Sequence, residues 1–272
     1  MKHAMHCIAF VSPLGGTGQT TVVANLASLW SAAGRACLAL DLCAQNSLGL
    51  HLGLAQPAPL GWSQAVAAGT WWGEPALENS AQVWFLPYGN PAGQAPPSGP
   101  QQSMNQALLT TLEQSLAQDP HWLSTQLQSL ALEAHSLVLL DVPPWPQPLA
   151  AQALRCADLV VVCLDTSARA TQMRDHVAAL LAQARPATPL AVLATRFNPR
   201  RDSQCQALEA LQALWPQQLS PYVLHDDESV AAALAAQHCV TAYAPQAQSA
   251  HDLHGIAHWL LDQCPATQDG AA

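Results

Sequence analysis

Lysine is nearly missing from this chain: of 272 residues with nine cationic side chains, a single one, Lys2, is a lysine. Charge of either sign is scarce, with Asp, Glu, Lys and Arg making up 10% of residues and a formal net charge of -9. A chain so poor in cations cannot neutralise a phosphate backbone, which speaks against DNA as a partner. Long apolar runs are lacking as well. No uncharged stretch is long enough to span a bilayer, and the first apolar run is too short for a secretory signal. The eight cysteines include no C-x-x-C pair and several fall in apolar strand-like runs. A free cysteine there behaves as a small hydrophobe. This usage fits a reducing compartment better than a disulfide framework, so a cytoplasmic protein is expected.

What the chain does have is apolar material, 50% of its residues, ample for a buried core. Short apolar runs at 7–11, 36–42, 83–86, 137–142, 159–164, 190–194 and 222–224 read as strands. Helical patterns fall near 20–33, 121–134, 168–184, 203–214, 229–236 and 250–261. Continuous rather than alternating apolar strands indicate a parallel sheet covered on both faces. The alternation predicts an α/β fold, a doubly wound, mostly parallel sheet with helices on both faces. A single domain over 1–264 is expected, with a Pro/Gly-rich surface loop at 87–102 and a flexible tail at 265–272.

The segment Pro13-Leu14-Gly15-Gly16-Thr17-Gly18-Gln19-Thr20-Thr21 joins the first strand to a helical pattern. Such a loop turns backbone amides toward a triphosphate, so Gly15, Gly16, Thr17, Gly18, Gln19, Thr20 and Thr21 are candidate nucleotide-binding residues. The general pattern ends in Gly-Lys-Thr/Ser, and here Gln19 holds the lysine position. Losing that charge-assisted contact costs about 1.5–3 kcal/mol, a roughly ten- to hundredfold drop in affinity. Hydrolysis should suffer more, because charge stabilisation is most of what a protein adds to phosphoryl transfer. The plainer alternative is a glycine-rich strand-to-helix turn with no ligand. Thr20 and Asp141, the latter ending an apolar strand, are the candidate Mg²⁺ residues; Asp141 could instead cap the next turn. Asp41 ends the second strand.

These elements, in this order, resemble the MinD/ParA class of deviant P-loop ATPases. That class carries K-G-G-x-G-K-T, with a signature lysine reaching across a dimer, and D-x-D-P-Q after the second strand. Leu14 stands for the signature lysine, Gln19 for the ordinary one, and Cys43 for the aspartate that positions the attacking water. Within the class the chain is similar to the BcsQ (YhjQ) cellulose-biosynthesis family. The carrying residues run from Ala39 to Leu42, from Gln45 to Leu48, from His51 to Leu54, from Leu86 to Gly89 and from Asp119 to Leu123. Two late stretches, from His225 to Val230 and from Tyr243 to Leu253, are the most specific.

The resemblance implies an accessory cytoplasmic protein of the bacterial cellulose synthesis and secretion machinery, recruited to the inner membrane by partners. It also implies ATP or ADP with Mg²⁺, a homodimer, and BcsR-like and BcsE-like partner proteins. Asn198 is placed for an adenine contact, with a turn before Pro199 as its alternative. Three functions stay open: a pseudo-ATPase scaffold, a slow Mg²⁺-dependent ATPase cycling between monomer and dimer, and a ParA-like partitioning protein. The last needs a basic surface that this composition does not supply.

Other clusters read as structural. His3, His6 and Cys7 lack a matching pair at zinc spacing and fit a disordered N-terminus. His251, His254 and His258 share one face of the last helical pattern and fit a solvated surface. That pattern carries no Lys or Arg, so direct membrane insertion is not expected. Trp71, Trp72 and Trp145 lie near loops as core aromatics or interface anchors.

Overall fold

The computed structural model describes residues 5–89, 110, 112, 114, 116 and 118–264. Seven strands form one sheet: β1 His6–Val11, β2 Cys37–Asp41, β3 Leu77–Glu78, β4 Trp84–Leu86, β5 Leu137–Asp141, β6 Leu159–Asp165 and β7 Leu190–Thr195. Their order is β3-β4-β2-β5-β1-β6-β7. All neighbours run parallel except β3 and β4. The helices are α1 Gln19–Ala32, α2 Leu48–His51, α3 Trp62–Ala67, α4 Trp122–Gln128, α5 Pro148–Cys156, α6 Arg174–Leu181, α7 Asp202–Leu214, α8 Glu228–Ala235, α9 Val240–Tyr243 and α10 Gln248–Gln263.

Each central strand is apolar on both sides because helices cover both faces. Along β1, Cys7, Ala9 and Val11 join one core, with Leu123 of α4, Leu154 of α5, Leu180 of α6 and Leu211 of α7. Ile8 and Phe10 point the other way, into a core with Leu26 of α1 and Ile256 of α10. The doubly wound expectation holds.

Local expectations differ in several places, the first being the antiparallel edge strand β3, which the sequence reading did not include. Residues 222–224 form no strand; the chain touches the edge of β7 through Ser220 N–H on the Val192 carbonyl and Leu224 N–H on that of Ala194. Between those contacts the Tyr222 N–H donates to the Ser220 hydroxyl at 3.0 Å instead of to β7, so no continuous ladder forms. The pattern at 121–134 helices only over α4, where the Ser129 hydroxyl turns back to the Gln126 carbonyl at 2.6 Å. The pattern at 168–184 splits into a 3-10 turn, Ala170–Gln172, and α6. The short helices α2, α3, α5 and α9 were not legible from periodicity; α5 did carry a signal, Pro148 at its first turn. Residues 90–102 of the expected surface loop, the tail at 265–272, and His3 lie outside the described residues.

Candidate functional site

In a parallel sheet the loops after the strands gather at the carboxyl edge, where ligands bind. Here that edge brings the 12–18 loop after β1 beside Asp41–Cys43, Asp141–Val142 and the end of β7. The loop turns at Gly16 and Gly18, with φ of 75° and 78°, the left-handed region that glycine enters freely. A Cβ added at Gly15, Gly16 or Gly18 would meet no heavy atom within 4 Å, so the glycine face is open. Gly18 leads into α1, whose first amides have no side-chain cap. Open amides at a helix N-terminus suit an anion. Thr195 ties the loop to the sheet: its buried hydroxyl donates to the Thr17 carbonyl at 2.7 Å and lies 3.0 Å from the Leu164 carbonyl.

Gln19, in the lysine position, turns inward. Its Nε2 donates to Asp141 Oδ1 at 2.6 Å and to the Val142 carbonyl at 2.8 Å. The Thr20 hydroxyl donates to Asp141 Oδ2 at 2.7 Å, so the two expected Mg²⁺ residues are brought together. Leu14, in the signature-lysine position, is partly buried against the core. The backbone and the Thr20–Asp141 pair therefore fit a Mg²⁺-nucleotide, while the donors of Gln19 are spent on the protein.

Asp41 and Asp141 stand side by side on β2 and β5, both fully buried. Asp41 Oδ1 accepts from the Cys43 N–H at 2.9 Å and Oδ2 from the Leu48 N–H at 3.1 Å. Ligand atoms of Asp41, Cys43 and Asp141 lie within 4.8 Å of one another. Every carboxylate oxygen of this trio already has a hydrogen-bond donor, so the cluster is wiring between strand ends. Burial pushes both carboxyls above the usual carboxylate range, and the Asp141 charge adds to this at Asp41. Burial also raises the Cys43 thiol, as do the charges of Asp141 and Asp41. A neutral, buried thiol is a poor substitute for a carboxylate that orients water.

Asn198 serves the turn weighed for it. Its Oδ1 accepts from the Arg200 N–H at 3.0 Å and its own N–H donates to Gln204 Oε1 at 2.6 Å. Arg196, Arg200 and Arg201 are exposed around it. The two late stretches meet in space. Asp252 of α10 accepts from the His225 N–H at 2.9 Å and lies 2.8 Å from His225 Nδ1. Asp227 accepts from the N–H groups of Ser229 at 2.8 Å and Ser249 at 3.1 Å. His251, His254 and His258 are all exposed on α10, as read from the sequence. Trp72 is buried and Trp71 exposed.

Sequence reasoning missed Thr195 and Trp62, and it gave Asn46 no structural role beyond the resemblance. Asn46 Nδ2 donates to the Ala58 carbonyl at 2.8 Å, and Trp62 Nε1 to that of Asp41 at 2.7 Å. Their partners are distant in the chain and leave no local motif.

Three comparisons bear on this geometry. The chain is 29% identical over 259 residues to the cellulose biosynthesis protein BcsQ of Escherichia coli K12, covering 91% of this chain and 90% of the relative. Its fold matches the cell division ATPase MinD of Pyrococcus furiosus with a TM-score of 0.73 at 20% identity, over 94% of this chain and 98% of that one. It also matches cobyrinic acid a,c-diamide synthase of Mycobacterium smegmatis, solved with ADP and magnesium, with a TM-score of 0.72 at 18% identity over 95% and 94%. The model of the cellulose biosynthesis protein BcsQ family matches residues 5–261, and this chain, on its MinD/ParA-like P-loop fold, belongs to that family.

Proposed function

We propose that this chain is an accessory protein of bacterial cellulose synthesis and secretion, a single α/β domain acting as a scaffold or assembly factor. The Gly15–Thr21 loop holds ATP or ADP as a structural ligand, with little turnover. Thr20 and Asp141 are the residues that would hold Mg²⁺, which would offset phosphate charge there. Asn198 and its neighbouring arginines lie on the side assigned to the base. The carrying observation is the inward turn of Gln19 onto Asp141. It leaves an open amide cradle without the cation that makes such loops hydrolytic. Leu14, packed partly buried against the core, and the neutral Cys43 support the same reading.

Among the described residues no helix is long and apolar enough to cross a membrane. In this reading the protein works in the cytoplasm as a homodimer, recruited to the inner membrane by BcsR-like and BcsE-like partners. A slow Mg²⁺-dependent ATPase is the second reading, favoured by the intact Thr20–Asp141 pair. Phosphate release abolished by Asp141→Ala would select it. A partitioning protein is disfavoured by the net charge of -9.

The test is calorimetry of ATP and ADP with Mg²⁺ on the chain and on Gln19→Lys. Binding by the unmodified chain, with at most a roughly hundredfold gain in the variant, is the expected result. Binding by the variant alone would mean a loop kept only as a scaffold. Binding by neither would sink the nucleotide reading.

A further inference from the structure

The amide of Gln19 sits between two oxygens that carry no hydrogen, Asp141 Oδ1 and the Val142 carbonyl. Its orientation is thereby dictated: nitrogen inward, with both N–H groups spent and none left to donate to a phosphate. Asp141, fully buried, has its second oxygen on the Thr20 hydroxyl. Thr20 can keep that bond and still offer a lone pair to a cation, because a hydroxyl donates once and accepts twice. Asp141 Oδ1 is different. It is the acceptor that a water on such a cation would seek, and Gln19 occupies it.

We propose that Gln19 is a positioning residue that takes the outer-sphere seat of a divalent cation on Asp141, so that nucleotide binding by this chain depends little on Mg²⁺. The inference rests on the reading that the Gly15–Thr21 loop holds nucleotide. A lysine there would place a charge toward the phosphates and leave Asp141 Oδ1 to the metal's hydration shell. Gln19 instead holds the strand end in the arrangement a hydrated cation would otherwise impose. The loop then keeps its shape through an internal bond that needs no metal.

The readout is the ratio of ATP affinity in excess Mg²⁺ to that in EDTA, measured by calorimetry. It is compared between the unmodified chain, Gln19→Met and Gln19→Leu, with far-ultraviolet circular dichroism confirming the fold of each. Both variants remove the two donors and keep an apolar side chain of similar reach. The ratio is expected to be at least about fivefold larger in a folded variant than in the unmodified chain, the size of a single modest hydrogen bond. A smaller difference with ATP bound overturns the inference and leaves the nucleotide reading standing. ATP bound by no chain in either buffer overturns the nucleotide reading, and the role of Gln19 with it.

Discussion

Three residues near the carboxyl edge of the sheet show how position, more than residue type, sets behaviour. Thr17, in the glycine loop, is buried, and its hydroxyl has no hydrogen-bond partner among the described residues. A buried, unpaired hydroxyl costs about 1–3 kcal/mol, and Val has nearly the same shape. Thr17→Val should therefore be neutral or up to about 1 kcal/mol more stable, read from the urea midpoint. The two aspartates should respond oppositely to amidation. Asn at 141 can accept from Gln19 and donate to Thr20, keeping both bonds while removing a buried charge. Asn at 41 would aim an amide N–H at the N–H of Cys43 or Leu48, a loss of about 1–3 kcal/mol. Both native carboxyls are raised by burial, so the folded state holds protons more tightly than the unfolded one. Their stability contribution is full below the ordinary carboxylate pKa and is lost as pH rises through the raised values. The urea midpoint of the chain should thus fall between about pH 5 and about pH 8, and fall less in Asp141→Asn.

At the scale of elements, one carboxylate serves two helices. Asp227 caps α8 through Ser229 and also accepts from the N–H and hydroxyl of Ser249, in the first turn of α10. Beside it, Asp252 of α10 holds His225. The two late stretches that carry the family resemblance are thus one structural joint. Asp227→Ala should cost about 1–2 kcal/mol. It should lower Tm by about 2–8 °C in a thermal melt. A drop of under a degree would show that water replaces the carboxylate without loss.

For the whole molecule, the sheet separates two cores, and its carboxyl edge carries the glycine loop. Arginines gather at that edge: Arg169 and Arg174 follow β6, and Arg196, Arg200 and Arg201 follow β7, all exposed. Asp165, Asp175 and Asp202 stand among them, with Asp165 4.0 Å from Arg169, so an anion there would meet individual guanidinium groups and not a uniform positive rim. Saturating ATP should raise the mass seen by light scattering from monomer toward dimer if nucleotide cements two such edges. A mass unchanged by ATP would remove the dimer from the proposed function. Trp71 and Trp84 are 55% and 48% exposed, while Trp62 and Trp72 are buried. With Tyr222 and Tyr243, also exposed, this pair is aromatic surface open to other contacts among the described residues.

The sequence by itself determined the sheet, the phosphate loop and the loss of its cations. Continuous apolar strands and glycine spacing are local signals, because each reflects its own segment's burial or turn. It also offered Thr20 and Asp141 as one candidate Mg²⁺ pair, from their places at a helix start and a strand end. Only the tertiary structure decided where the side chain of Gln19 goes, that Asn198 is held in a turn, and that 222–224 is an edge contact interrupted where the Tyr222 N–H turns to Ser220. The same holds for Thr195, Asn46 and Trp62, whose partners lie far along the chain. Hydrogen bonds between distant segments exist only after the cores on both faces bring strand ends within about 3 Å, and no local pattern encodes them.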